Sequence, residues 1–169
     1  MIHVYTGEGE GKTIAALGLA FRALGHGKKV MVIQFMKGRT DTGEVLMAKK
    51  LTPALLIRQF GRADFVDLAS PGPEDRKLAE EAFSFAKESL RKKPDLLILD
   101  EINLAVAVGL LSEKEVLSFI ATVPAEVTLV LTGRRAPASF VARADLATEM
   151  IYLKHPYDAG VDSREGLDY

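Results

Sequence analysis

The sequence predicts an α/β fold: one mostly parallel, doubly wound sheet of five to six strands with helices on both faces. Three observations carry that prediction. Apolar runs of strand length alternate with amphipathic stretches five or six times along 169 residues. Some runs, such as Val30-Met31-Val32-Ile33 and Leu96-Leu97-Ile98-Leu99, are continuously apolar, as strands covered on both faces must be. The first run also leads through a glycine-rich loop straight into a helix. The length suits one domain over residues 1–169 that needs no covalent staple.

Composition narrows the function classes. A net charge of −1 supplies no basic field for nucleic acid. Zero cysteines exclude disulfides, thiolate metal sites and cysteine nucleophiles. No apolar run reaches the roughly 18 residues that span a bilayer, and Met1 opens directly into the first strand without a charged leader. The expectation is a cytoplasmic chain with no membrane or nucleic-acid partner.

Met1-Ile2-His3-Val4-Tyr5 reads as the first strand and Lys12 to Leu24 as the first helix, with Leu17, Ala20, Phe21 and Leu24 on one face. Between them lies Thr6-Gly7-Glu8-Gly9-Glu10-Gly11-Lys12-Thr13, a phosphate cradle. Gly7, Gly9 and Gly11 let successive N–H groups turn onto one anion, and the helix adds its positive end. Lys12 supplies a cation for phosphate oxygens, and the Thr13 hydroxyl suits Mg²⁺. The strict pattern has a glycine where Thr6 stands.

Gly25-His26-Gly27 stops the helix, and Val30 to Phe35 forms the second strand. The polar loop Met36 to Glu44 lies past that strand's C-terminal end, where open α/β sheets bind ligands. From it Lys37 and Arg39 can reach a phosphate; an ordinary surface loop is the equal alternative. A short helix over about 42–50 and a strand over Leu55 to Phe60 follow. In the loop Gly61 to Pro73, Phe65 and Val66 either tuck into the core or line a substrate cavity. The next helix runs to about Lys92 with Leu78, Ala82, Phe85 and Ala86 as its buried face.

Leu96 to Leu99 is a buried strand that delivers Asp100 and Glu101 at its tip, beside the cradle, where carboxylates can hold Mg²⁺. A buried helical piece follows from Ile102, and Ser112 with Glu115 forms a capping box. Val127 to Thr132 is a fifth strand ending in Gly133-Arg134-Arg135, a pair of arginines suited to phosphate or carboxylate. A helix over about 137–144 precedes a last strand over Leu146 to Leu153. The polar tail, 154–169, either frays or folds over the site.

The chain resembles the P-loop-type ATP:corrinoid adenosyltransferases, and the resemblance runs nearly end to end. It rests on Tyr5 to Thr13, Gln34-Phe35 with Lys37-Gly38, Leu97 to Asn103, and Leu131-Thr132-Gly133-Arg134. It continues through Lys154-His155-Pro156-Tyr157-Asp158-Ala159-Gly160-Val161 and Gly166 to Tyr169. A cradle lacking its first glycine is a habit of that family. The resemblance implies a single P-loop NTPase-like (RecA-like) domain that moves the 5′-deoxyadenosyl group of ATP to a Co(I) corrinoid and releases triphosphate. It implies Mg²⁺, replaceable by Mn²⁺, an external electron donor for cobalt, and a homodimer. Carried onto this chain, Gly7, Glu8, Gly9, Glu10, Gly11, Lys12, Thr13 and Ile14 surround the triphosphate. Thr13, Glu101 and Asp100 are the expected metal ligands, Lys37 and Arg134 further phosphate or ribose contacts. The expected catalytic set is Lys12, Thr13 and Glu101. Some members carry a Gly-x-Gly-Phe-Thr-Trp stretch against the corrinoid; this chain reads Gly61-Arg62-Ala63-Asp64-Phe65-Val66, and Phe65 is the surviving candidate. Glu8 and Glu10 are unusual beside a triphosphate, and their carboxylates are expected to turn away from it, toward the nucleoside. All three histidines are expected outside the strand-tip sites.

Two rival readings remain on the same scaffold. A small-molecule kinase would use Asp100 or Glu101 as base and make ADP. A non-catalytic or motor-type ATPase module would show hydrolysis stimulated by a macromolecule.

Overall fold

The structure, a computed structural model, describes residues 1–63 and 66–167. Its elements follow in order: β1 (Ile2–Thr6), α1 (Lys12–Gly25), β2 (Val30–Phe35), α2 (Gly43–Leu51) and β3 (Leu55–Phe60). Then come α3 (Pro73–Ser89), β4 (Leu96–Asp100), α4 (Ile102–Ala107), α5 (Glu113–Ile120), β5 (Thr128–Thr132), α6 (Ala138–Arg143) and β6 (Leu146–Glu149). Short 3-10 turns occupy Leu90–Lys92 and Pro156–Ala159. The strands stand side by side as β3-β2-β4-β5-β1-β6, and every pairing is parallel. All six C-terminal tips therefore share one edge, where such sheets bind ligands.

Strand periodicity divides the core. Val30, Val32, Leu96, Ile98 and Val130 face α1 and α2. Met31, Ile33, Phe35, Leu97, Leu99, Leu129 and Leu131 face the other way, against α3, α4, α5 and Phe140 of α6. Both faces are covered, which is why β2 and β4 are apolar up to Gln34 and Asp100 near their C-terminal ends.

Three local readings are corrected. The sheet-facing residues of α1 are Ala16 and Ala20, while Phe21 of the expected face is 77% exposed. Two small residues let the helix lie close to the sheet and rotate its bulky side chains outward. In α3 the buried set is Asp75, Ala79, Ala82, Phe83, Ala86 and Ser89, so the face is turned away from Leu78 and Phe85. Phe85 sits at the margin, its ring 5.6 Å from that of Phe60. The last strand stops at Glu149 rather than Leu153, because the chain there changes partner. Met150 N–H still donates to Thr6, but Met150 then accepts from Gly9 of the loop after β1. The segment leaves the sheet to brace that loop.

Candidate functional site

The loop between β1 and α1 is held from outside. Thr6, standing where a glycine is usual, closes β1, and its hydroxyl accepts the N–H of Ala136 at 3.0 Å. Gly9 donates to Met150 at 2.7 Å. A Cβ on Gly9 would lie 2.5 Å from the Ile151 carbonyl oxygen, so the bracing contact admits no side chain. Gly11, in the left-handed region at φ 107°, opens α1 without a side-chain cap. The Lys12 ammonium folds back into the loop and donates to the carbonyls of Gly7 at 2.8 Å and Gly9 at 2.5 Å. Burial lowers its pKa, opposed by the Glu101 carboxylate.

The two loop carboxylates have partners that the sequence reading did not supply. Glu8 lies 3.5 Å from Arg134, and Glu10 is 2.7 Å from His155. The His155 ring stacks on Tyr152, whose hydroxyl donates to Asp158. The tail thus lies beside the loop, and His155 reaches the site from outside the strand tips.

At the heart of the strand-tip edge is Asp100, fully buried at the end of β4. Residues two apart along a strand share a face, so the row that begins Val30, Val32 ends in Gln34, and Leu96, Ile98 ends in Asp100. Gln59 pairs in register with Gln34, and Gln34 with Asp100. Their side chains form one chain of hydrogen bonds across the sheet. Gln59 Nε2 donates to Gln34 Oε1 at 2.9 Å, and Gln34 Nε2 to Asp100 Oδ2 at 3.1 Å. From β5, Thr132 donates to Asp100 Oδ1 at 2.7 Å and accepts the Glu101 N–H at 3.0 Å. Two further donors come from the first turn of α1 and from the loop after β2. Thr13 Oγ1 reaches Asp100 Oδ1 at 2.8 Å, and Lys37 Nζ reaches Asp100 Oδ2 at 2.7 Å. Burial raises the Asp100 pKa, but the Lys37 charge and these hydrogen bonds outweigh it, leaving the carboxyl below its ordinary value. Lys37 responds reciprocally: burial lowers its pKa, and Asp100 more than restores it.

Glu101 caps α4 from the left-handed region at φ 67°. Its Oε2 is buried with no hydrogen-bond partner. Burial raises its pKa, and the neighbouring Asp100 charge adds to that. Asn103 fastens this corner by donating to the carbonyls of Tyr5 at 3.2 Å and Gly133 at 3.3 Å.

Lys12, Thr13, Lys37, Gln59, Glu101 and Arg134 border an open cavity of about 1400 Å³, with Asp100 buried behind them. Its lining includes charged side chains, among them Lys12, Lys37, Glu101 and Arg134, and apolar ones, among them Leu17, Phe21 and Met47. Ile14, exposed on the first turn of α1, lines it too. The loops after β2 and β3 meet backbone to backbone, since a Cβ on Gly61 would lie 2.3 Å from the Lys37 nitrogen. Arg62 in the second loop donates to buried Asp75 of α3 at 3.0 Å. Of the expected residues, the structure gathers Gly7 to Thr13, Lys37, Asp100, Glu101 and Arg134 on one edge. Phe65 lies outside the described residues. The sequence assigned no site role to Gln34, Gln59, Thr132, Tyr152 or His155, although Gln34, Thr132 and His155 stand in stretches that carry the family resemblance. A glutamine in an otherwise apolar strand, as at Gln34, was the available signal for the first of them.

Comparison with known proteins agrees with this geometry. The pattern of the family described as ATP:corrinoid adenosyltransferase BtuR/CobO/CobP matches residues 1–169. The corrinoid adenosyltransferase of Pseudomonas aeruginosa is 36% identical over 168 residues, covering 98% of this chain and 82% of that protein. That of Escherichia coli strain K12 is 36% identical over 170 residues, covering 100% and 85%. Among solved structures, the flagellar accessory protein FlaH of Methanocaldococcus jannaschii superimposes with a TM-score of 0.57. It is 16% identical over 88% of this chain and 69% of its own, a likeness of fold alone. A P-loop NTPase-like sheet, a cradle that leads to a buried aspartate, and near-full-length identity to corrinoid adenosyltransferases lead to one assignment: the chain belongs to the ATP:corrinoid adenosyltransferase family.

Proposed function

We propose that this edge of the sheet binds the triphosphate of ATP and transfers its 5′-deoxyadenosyl group to a Co(I) corrinoid. The observation that carries the site assignment is the joining of cradle to strand tip: Thr13 bonded to Asp100 at 2.8 Å, with Lys12 buried within the loop. The Co(I) electron pair attacks C5′, the bond from C5′ to the triphosphate oxygen breaks, and that oxygen leaves with the bonding pair. Cobalt ends as alkyl-Co(III), and no proton moves, so no general base is required. What needs stabilising is charge on the leaving triphosphate. Lys12, the loop N–H groups and the start of α1 are suited to that, with Lys37 and Arg134 as further cations.

The donor set fits a hard divalent cation. It consists of oxygens only, from Thr13, Asp100 and Glu101, and Glu101 Oε2 is a buried acceptor with nothing to accept. Among the described residues no cluster of three or more His, Cys, Asp or Glu could hold an ion by itself, so phosphate oxygens and water complete the shell. Mg²⁺ there, or Mn²⁺ in its place, neutralises phosphate charge. The wide cavity supports two substrates at once: its volume exceeds the roughly 300–1,000 Å³ of ordinary small-molecule pockets, and its apolar lining suits a macrocycle.

The same proposal takes residues 1–169 as one domain with the 154–169 tail beside the site, acting in the cytoplasm as a homodimer. An external donor supplies the electrons for Co(I). No helix among the described residues is long and apolar enough to cross a membrane. The test is an anaerobic assay with chemically reduced cobalamin, ATP and Mg²⁺. The corrinoid spectrum should pass from Co(I) to an alkylated product only when all three are present. No spectral change, with ADP formed on some other acceptor, would move the chain to the kinase reading.

A further inference from the structure

Lys37 is held with unusual definition for a loop lysine. Met36 turns the chain out of β2 in the left-handed region at φ 56°. Gly38 and Gly61 then lock the two loops together, since a Cβ on Gly38 would meet the Gly61 oxygen at 2.3 Å. The Lys37 ammonium ends 2.7 Å from Asp100 Oδ2 and 3.2 Å from Thr13 Oγ1. Those two oxygens belong to the donor set assigned above to the divalent cation.

Each Asp100 oxygen already has two donors. Oδ1 accepts from Thr13 and Thr132, and Oδ2 from Gln34 and Lys37. Gln34 and Thr132 are fully buried strand residues fixed by the sheet. Thr13 also borders the cavity, but its short side chain is fixed on the first turn of α1; Lys37, on a long flexible stem and partly exposed at the cavity, is the donor that can swing away without disturbing a strand or a helix. An ammonium and a divalent cation cannot share these oxygens: like charges repel strongly at such separations. A triphosphate offers the ammonium an equivalent charge-assisted partner a short swing away.

We propose that Lys37 is a resident cation at the metal position, which it yields to the divalent ion only when a triphosphate arrives to receive its charge. Metal binding is thereby made conditional on nucleotide, and Lys37 is carried onto the leaving group in the same movement. This rests on the assignment of Thr13, Asp100 and Glu101 to the metal.

Mn²⁺ binding read by the paramagnetic signal of the free ion tests it, without corrinoid and without turnover. In the absence of nucleotide, Lys37→Gln should bind Mn²⁺ at least about tenfold more tightly than the unaltered protein. Mn²⁺ should also raise the melting temperature of Lys37→Gln, but not that of the unaltered protein. Glutamine keeps a donor for Asp100; Lys37→Met serves as the second variant should Lys37→Gln fold poorly. Lys37→Arg, which keeps the charge, should bind Mn²⁺ as weakly as the unaltered chain. Equal Mn²⁺ affinity in Lys37→Gln and the unaltered protein would overturn the inference, as would Lys37→Arg behaving like Lys37→Gln. The metal site is checked separately by ATP affinity with Mn²⁺ and with chelator. A metal enhancement lost in Thr13→Ala supports that site. No enhancement in the unaltered protein removes the site and the inference with it.

Discussion

Lys12 and Glu101 show how single side chains in this site are kept at a cost to the fold. Lys12 is a buried cation with two of its three N–H donors held by carbonyls of its own loop, so it is preorganised beside the place where phosphate oxygens are expected. Lys12→Ala should lower transfer by about 10²–10³-fold or more, with an unchanged circular dichroism spectrum; retained turnover would remove Lys12 from the mechanism. Glu101 carries a buried oxygen with no partner, an arrangement that typically destabilises by about 1–3 kcal/mol. Glu101→Gln removes the charge that burial and the neighbouring Asp100 disfavour, so it should melt higher than the unaltered protein in metal-free buffer at neutral pH, yet transfer adenosyl poorly. A variant that is both less stable and fully active would contradict the role given to Glu101.

Among the elements, the loop after β1 depends on a segment about 140 residues away in sequence. Met150 and Ile151 brace Gly9 so closely that Gly9→Ala must displace either the loop or the brace. The expected outcome is weaker ATP binding, by tenfold or more for a displacement costing about 1.4 kcal/mol, with the melting temperature little changed. Unaltered ATP affinity would show that the brace does not set the loop's shape. This contact also marks where the sequence stopped being legible. The strand-loop-helix of the cradle and the acid-tipped β4 are local patterns, readable from spacing. The brace is a long-range backbone contact with no side-chain signature, and the same run of apolar residues after Glu149 reads equally well as more strand. The rung from Gln59 through Gln34 and Asp100 to Thr132 depends on register between strands distant in sequence, so its members were visible singly and not as a row. For α1 the apolar period was right but its centre was wrong. Periodicity fixes a face only to within about one residue, and packing of Ala16 and Ala20 decided the remainder.

For the molecule as a whole, stability should carry the mark of His3 in β1. Its ring is largely buried between Tyr5 and Met1. Burial lowers its pKa, the N-terminal charge adds to this, and Asp145 opposes it. A histidine whose folded-state pKa is depressed contributes stability that is present above its ordinary value, near 6.5, and is lost as pH falls through the folded value. The melting temperature should thus decline between neutral and mildly acidic pH, and His3→Asn should flatten that slope. An identical slope in both proteins would show that other groups govern it. The same whole-molecule view explains why one sheet edge carries the chemistry. Parallel pairing throughout puts the ends of β1, β2, β4 and β5 side by side, so cradle, cation and carboxylates converge without any of them leaving its own element.

The central claim is that C5′ of ATP becomes bonded to cobalt while the triphosphate leaves whole. ATP carrying ¹³C at C5′, incubated with the protein, Mg²⁺ and a Co(I) corrinoid, tests it by carbon and phosphorus NMR of the products. The account predicts the label on cobalt and one tripolyphosphate for each labelled corrinoid. Label retained in ADP, AMP or free adenosine, with an unalkylated corrinoid, would contradict it.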